Sequence, residues 1–215
     1  MSYGWKETTE FKKRRREVKK ILFNDKYYLT QAVLNRTKTM TRRLLKDGTP
    51  LGNWEETEKH LPYKVGEVVA IAQSYKSIAN ERNEAETVLD LYKIGDNLLT
   101  MDEMGAGWNN KMFVKAGLLP HHIRITNIRV ERLQDISDDD CLCEGIKFRY
   151  VNMNFGNSMA REDYYYEYLD RYGEKDYYGT NSPKKTFSIL IDKICGYDTW
   201  ESNPWIVAYS FELID

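Results

Sequence analysis

Hydrophobic positions change their spacing several times along the chain. Ile21-Leu22-Phe23 is a short apolar run that predicts a buried strand. Asn24 follows as an N-cap, and Tyr28, Leu29, Ala32 and Val33 recur at helical spacing over 25–34, with Asn35 suited to a left-handed helix end. Thr37 to Arg43 is rich in β-branched residues and reads as extended chain. After a Gly/Pro-containing loop from Asp47 to Gly52, the turn Lys64-Val65-Gly66-Glu67 opens an apolar strand from Val68 to Ala72. Residues 87–93 alternate as a strand does, whereas 95–118 mix polarity and glycine and predict a long excursion with little regular structure. From His121 to Leu133 the alternation is clearest. Ile123, Ile125, Ile128 and Val130 face a core, and the break at Thr126-Asn127 has the form of a bulge. Ser137 caps a helix of one to two turns that ends at Glu144-Gly145. The tyrosine-rich run 162–172 predicts a helix. Ser182-Pro183 starts a longer helix through Cys195, ended by Gly196, and Asn203-Pro204 introduces a last strand from Trp205 to Leu213. Strands spread along the chain with helices between them suggest an α+β protein, a small mixed barrel with helical additions.

Composition narrows this picture. A chain of 215 residues, 41% hydrophobic and 30% charged, has the makings of a folded protein rather than a disordered one. The expected organisation is a basic arm over residues 1–20 and one domain over 21–215. No apolar run reaches the roughly 18 residues a membrane span needs, and the N-terminus has no apolar stretch resembling a secretory signal. Cys141, Cys143 and Cys195 make an odd count without a CxxC pair. That predicts buried thiols in a reducing, cytoplasmic setting, with no metal and no cofactor. His121-His122 has no ligand spacing.

Charge adds a direction. The net charge is −1, yet residues 1–50 hold 14 Lys and Arg against 5 Asp and Glu. Such asymmetry points to an anionic partner near the N-terminal third, although the Lys12–Lys20 run read alone is a solvated basic face. Lys38-Thr39-Met40-Thr41-Arg42-Arg43 places an amine, hydroxyls and two guanidiniums within six residues, and Glu144 puts a carboxylate directly before a glycine turn. In a regular strand Lys38 and Thr41 would lie on opposite faces, so they cooperate only if the chain turns near Thr39. Otherwise the segment is an edge strand with solvated charges.

The order of these segments resembles the ASCH family, a branch of the PUA-like β-barrels, and within it the longer proteins common in phages and prophages. The residues that carry the resemblance are Ile21-Leu22-Phe23-Asn24, then Asn35-Arg36-Thr37-Lys38-Thr39-Met40-Thr41-Arg42-Arg43, then Val65-Gly66-Glu67-Val68-Val69. They continue with IRITNIRVERLQDIS over 123–137, Glu144-Gly145-Ile146, and Trp200-Glu201-Ser202-Asn203-Pro204-Trp205-Ile206-Val207. The resemblance implies a PUA-like mixed barrel with peripheral helices and insertions at about 76–118 and 147–181. The sequence departs from the family pattern at three places. Asn35 stands for a glycine, Ala72-Gln73-Ser74-Tyr75 stands for Arg-Glu-Thr-Trp, and Ala208 stands where a tryptophan is common.

PUA-like barrels bind RNA or single nucleotides, so the resemblance implies a ligand site around Lys38–Arg43, with Arg42, Arg43, Gln73, Ser74, Tyr75 and Trp205 as nucleotide-binding candidates. Some small ASCH members are amidohydrolases that deacetylate N4-acetylcytidine with a Lys, a Thr and a Glu. Lys38, Thr41 and Glu144 match those positions. In that chemistry Thr41 is the nucleophile. Lys38 is the base, made neutral by Arg42 and Arg43 with burial adding to this, and Glu144 orients the amine or protonates the leaving group. Two readings therefore stand, a binding module and a nucleoside amidohydrolase. A phage-associated accessory protein is a weaker third.

Overall fold

The computed structural model describes residues 18–83, 93–94, 97–98, 105–153, 161–170, 172–174 and 179–214. In chain order the elements are β1 (Lys20–Ile21), α1 (Leu29–Leu34), β2 (Met40–Leu44), α2 (Trp54–His60), β3 (Val68–Ile71), α3 (Tyr75–Asn83), β4 (Lys93–Ile94) and β5 (Asn97–Leu98). They continue with β6 (His122–Arg132), α4 (Asp138–Cys143), β7 (Lys147–Met153), β8 (Arg161–Glu167), α5 (Pro183–Cys195), α6 (Thr199–Ser202) and β9 (Trp205–Leu213). The fold is mixed α/β with parallel and antiparallel pairing, and among the described residues no pairing closes a barrel. The expected arm over 1–20 lies outside the described residues up to residue 17, and most of the strand expected at 87–93 lies outside them too.

The chain divides into two compact units. The first comprises residues 1–23, 68–124 and 214–215. Here β1 runs parallel to β3, with Ile21 opposite Ile71, and β3 is antiparallel to the first residues of β6. Ala70, Tyr75, Ile78, Val114 and Leu119 form its core. The Lys20 ammonium donates to the carbonyls of Met112 at 2.6 Å and Val114 at 2.8 Å, which ties β1 to the loop before β6. The excursion at 95–118 contains three single 3-10 turns. α3 lies at the start of the insertion expected at about 76–118.

The second unit comprises residues 24–67 and 125–213 and carries the strand order β6-β9-β2. β2 is antiparallel to β9, pairing Thr41 with Tyr209 and Arg43 with Val207. Along β6 the buried residues are Ile123, Ile125 and Ile128, and both Thr126 and Asn127 are exposed, so the alternation slips at the expected place. α4 and α5 begin at the caps that the sequence offers. Ser137 accepts from Asp140 N, and Ser182 accepts from Lys185 N with Pro183 in the first turn.

Three expectations are corrected. Asn24 caps only a 3-10 turn, Asp25–Tyr27, because Tyr28 takes a left-handed conformation and the α-helix starts at Leu29. The left-handed residue after α1 is Arg36 (φ 59°), whereas Asn35 keeps φ −80°. The run 162–172 is not a helix. β8 forms a hairpin with β7, pairing Tyr166 with Phe148 and Tyr164 with Tyr150. Aromatic side chains fit a pleated surface and pair across strands, which outweighs any helical reading of their spacing.

Candidate functional site

The turn after α1 sets the site. Thr37 N and Lys38 N both donate to Ala32 O, which folds the chain back under the helix. Thr39 N then donates to Cys143 O at the end of α4. Lys38 is thereby brought to Glu144, more than a hundred positions away. Its Nζ donates to Glu144 Oε2 at 2.5 Å and to Glu144 O at 2.8 Å. Gly145 follows with φ +103°, a left-handed conformation that favours glycine. Lys38 is only 2% exposed.

Arg42 completes the cluster. Its Nη1 donates to Glu144 Oε1 at 3.2 Å, and its Nη2 donates to Asp140 Oδ2 at 2.6 Å and Glu131 Oε1 at 2.8 Å. Arg129, half exposed, reaches the same Asp140 oxygen at 2.5 Å and Glu131 at 3.5 Å. Lys38, Arg42 and Arg129 thus face Glu131, Asp140 and Glu144, three charges of each sign. Because low-dielectric surroundings make an unpaired charge costly, the balance explains how Lys38, Arg42 and Glu144 can be buried together, with the other three partly exposed around them. Burial pulls the Lys38 amine below the ordinary lysine range. The field and hydrogen bond of Glu144 oppose that pull, and Arg43 and Arg42 add to it. Burial opposes the Asp140 charge as well, but the hydrogen bonds from Arg42 and Arg129 outweigh it and hold the carboxyl below its usual range.

Strand alternation separates the candidates. Met40 and Arg42 share one face of β2, their side chains meeting at 3.1 Å between Nη1 and Sδ. Thr41 and Arg43 project to the other face, beside their cross-strand partners Tyr209 and Val207. Thr41 is buried, and its hydroxyl makes no hydrogen bond among the described residues. Arg43 is half-buried. Trp205 opens β9 and is 37% exposed, with its carbonyl accepting from Leu45 N at 3.0 Å. The Arg132 guanidinium lies over the Trp205 ring, 4.6 Å from its centroid.

The remaining candidates belong to the first unit. Gln73 is buried and donates to the Glu81 carboxylate at 2.5 Å. Ser74 Oγ accepts from Ser77 N and meets Ser77 Oγ at the start of α3. Tyr75 is 2% exposed in the core cluster, and its ring lies 2.5 Å from where a Cβ on Gly107 would stand, so it has no open face for a base. Arg42, with a side chain 1% exposed and three carboxylates in contact, has no free edge for a phosphate.

Four residues escaped the sequence reading: Arg129, Glu131, Arg132 and Asp140. Arg129 and Glu131 alternate with Ile128 and Val130, which marks them as a charged pair on the far face of β6, and Asp140 sits in an acidic run that offers several equivalent carboxylates. Among the described residues no group of His, Cys, Asp and Glu could hold a metal ion, and no helix is long and apolar enough to cross a membrane.

No family model matches the chain, and no curated protein does. Among solved structures, the chain is similar to an ASCH domain from Lactobacillus crispatus JV V101, at 12% identity over 96% of this chain and 85% of that one, with a TM-score of 0.35. A likeness at that TM-score assigns neither fold nor activity to this chain.

Proposed function

We propose that the chain is a PUA-like, ASCH-type module that binds RNA or a modified nucleotide without hydrolysing it. The observation that favours binding over hydrolysis is the disposition of the expected catalytic groups. The Lys38 ammonium is engaged by Glu144 on one face of β2, and the Thr41 hydroxyl sits on the other face without a hydrogen bond to it. A threonine nucleophile needs its base within about 2.6–3.2 Å. In this reading Lys38, Arg42 and Glu144 build the turn that carries β2, and the ligand meets Trp205, 37% exposed at the start of β9, with the half-buried Arg43 beside it. Phosphate contact falls to Arg43 and stacking to Trp205, which is worth roughly 1–3 kcal/mol per base.

The amidohydrolase keeps one supporting observation: Lys38 and Glu144, far apart in sequence, do meet, and Lys38 is drawn toward neutrality by burial. The two readings separate in one experiment. Wild-type protein is titrated with RNA and nucleotides and incubated with N4-acetylcytidine and related N4-acyl nucleosides. Binding without release of free amine is expected. Turnover that Thr41→Ala and Lys38→Ala both abolish would replace the binding reading with the enzyme.

A further inference from the structure

We propose that Trp205 and Arg132 form an open stacking platform for a base of a single-stranded nucleic acid, a refinement that rests on the binding reading above. The Arg132 guanidinium lies 4.6 Å from the Trp205 ring centroid, and its Nη1 donates to Asn203 O at 3.1 Å. Asn203 is itself held, its Oδ1 accepting from Gln134 N at 2.9 Å. One face of the indole is therefore covered by a fixed cation, and the open part of the ring can take a base.

Charge sets this arginine apart from Arg42, Arg129 and Arg149. Arg42 is engaged by three carboxylates, Arg129 by two and Arg149 by Glu167. Arg132 is exposed and has no carboxylate partner among the described residues. An arginine that is stacked on an aromatic ring and still carries an uncompensated charge presents what a nucleotide needs, a π-face and a cation for the adjoining phosphate. Arg43 occupies the position diagonal to Trp205 across the β2–β9 pair, within reach of a long side chain. The geometry also selects a strand over a free nucleotide. Small ligands bind in concave sites that bury most of their surface. The Trp205 ring, 37% exposed where β9 begins, instead suits a chain that passes over it and gains affinity from successive phosphates.

The test is fluorescence anisotropy with labelled single-stranded RNA and DNA oligonucleotides, at several salt concentrations, alongside the matching mononucleotides. Trp205→Ala should weaken strand binding about 5- to 150-fold, the range that one stacked base contributes. Trp205→Phe should retain most of it. Arg132→Ala should lower both the affinity and the salt slope, the latter by about one phosphate contact, and Arg132→Lys should restore the slope but not the affinity. Arg132 is exposed, so its variants read out even if Trp205→Ala folds poorly. Wild type that binds strands while both alanine variants match it would overturn the platform and leave the binding reading standing. Mononucleotides binding as tightly as strands, or inorganic polyphosphate competing as well as an oligonucleotide of equal charge, would overturn the platform as well. Wild type that binds no nucleotide or strand would remove both.

Discussion

Glu144→Gln isolates the electrostatics of the buried cluster, because it keeps the side chain's shape and removes its charge. Arg42 retains Asp140 and Glu131 in the variant, so its guanidinium stays compensated. Lys38 does not, because Glu144 is the carboxylate its ammonium contacts. Breaking one side of a buried pair costs about 3–5 kcal/mol. An ammonium left unpaired can also escape by losing its proton, and moving a lysine from its reference of about 10.4 to neutrality at pH 7 costs about 4.6 kcal/mol, which caps the charge penalty. At pH 9 the same cap falls to about 1.9 kcal/mol. The sign follows from proton counting. In the folded variant Lys38 is neutral, the unfolded chain binds one proton more, and stability therefore rises with pH up to the unfolded lysine value. Urea unfolding followed by tryptophan fluorescence at pH 7, 8 and 9 measures the difference between wild type and variant. A loss of about 3–4.6 kcal/mol at pH 7, shrinking to about 2 kcal/mol at pH 9, is expected, corresponding at neutral pH to a fall of roughly 6–18 °C in Tm. A loss below about 1 kcal/mol, or one independent of pH, would refute the claim that Glu144 compensates Lys38. The double variant Lys38→Met/Glu144→Leu should recover much of the lost stability, since an apolar replacement of both partners is often neutral.

Three further outcomes follow from the same geometry. Arg42→Lys should destabilise by about 2–4 kcal/mol in urea, because an ammonium cannot serve three carboxylates as the guanidinium fork does, and nucleotide affinity should not change. Asp140→Asn should remove stability that is fully present above the ordinary aspartate value and is lost as pH falls through the lowered Asp140 value, so acid titration by circular dichroism should show a smaller stability change below pH 4 in the variant. Gly145→Ala should cost about 1–2 kcal/mol by thermal denaturation, since an alanine is strained at a φ of +103°.

Local rules in the sequence located the elements whose ends are chemically marked. Ser137 and Ser182 with Pro183 announce α4 and α5, and the isoleucine spacing announces β6 together with its slip. The hairpin of β7 and β8 was hidden because tyrosines fit either period, and only the pairing partner 18 residues away decides between them. α2 was hidden for another reason. Its buried positions are few, and Asn53 caps a mostly exposed turn sequence. At the site, the motif from Lys38 to Arg43 was legible as a concentration of cations, but not which of them the acidic residues would bury. Arg42 and Arg43 are neighbours of one residue type, and strand alternation alone sends one into three carboxylates and leaves the other half-buried. That distinction depends on Glu131, Asp140 and Glu144, which no local window contains.

The equal balance of the Lys38–Arg42–Arg129 and Glu131–Asp140–Glu144 cluster also constrains how this chain can drift. Loss of Glu144 alone strands the Lys38 ammonium, which has no second carboxylate in contact among the described residues, so tolerated histories at that pair run through simultaneous changes. Relatives that have lost Glu144 should have lost the Lys38 amine as well, and those that have lost Arg42 should carry fewer acids at 131, 140 and 144. The cluster behaves as one inherited character written in three separate stretches of sequence. Its members should co-vary even where the residues around them are free to change.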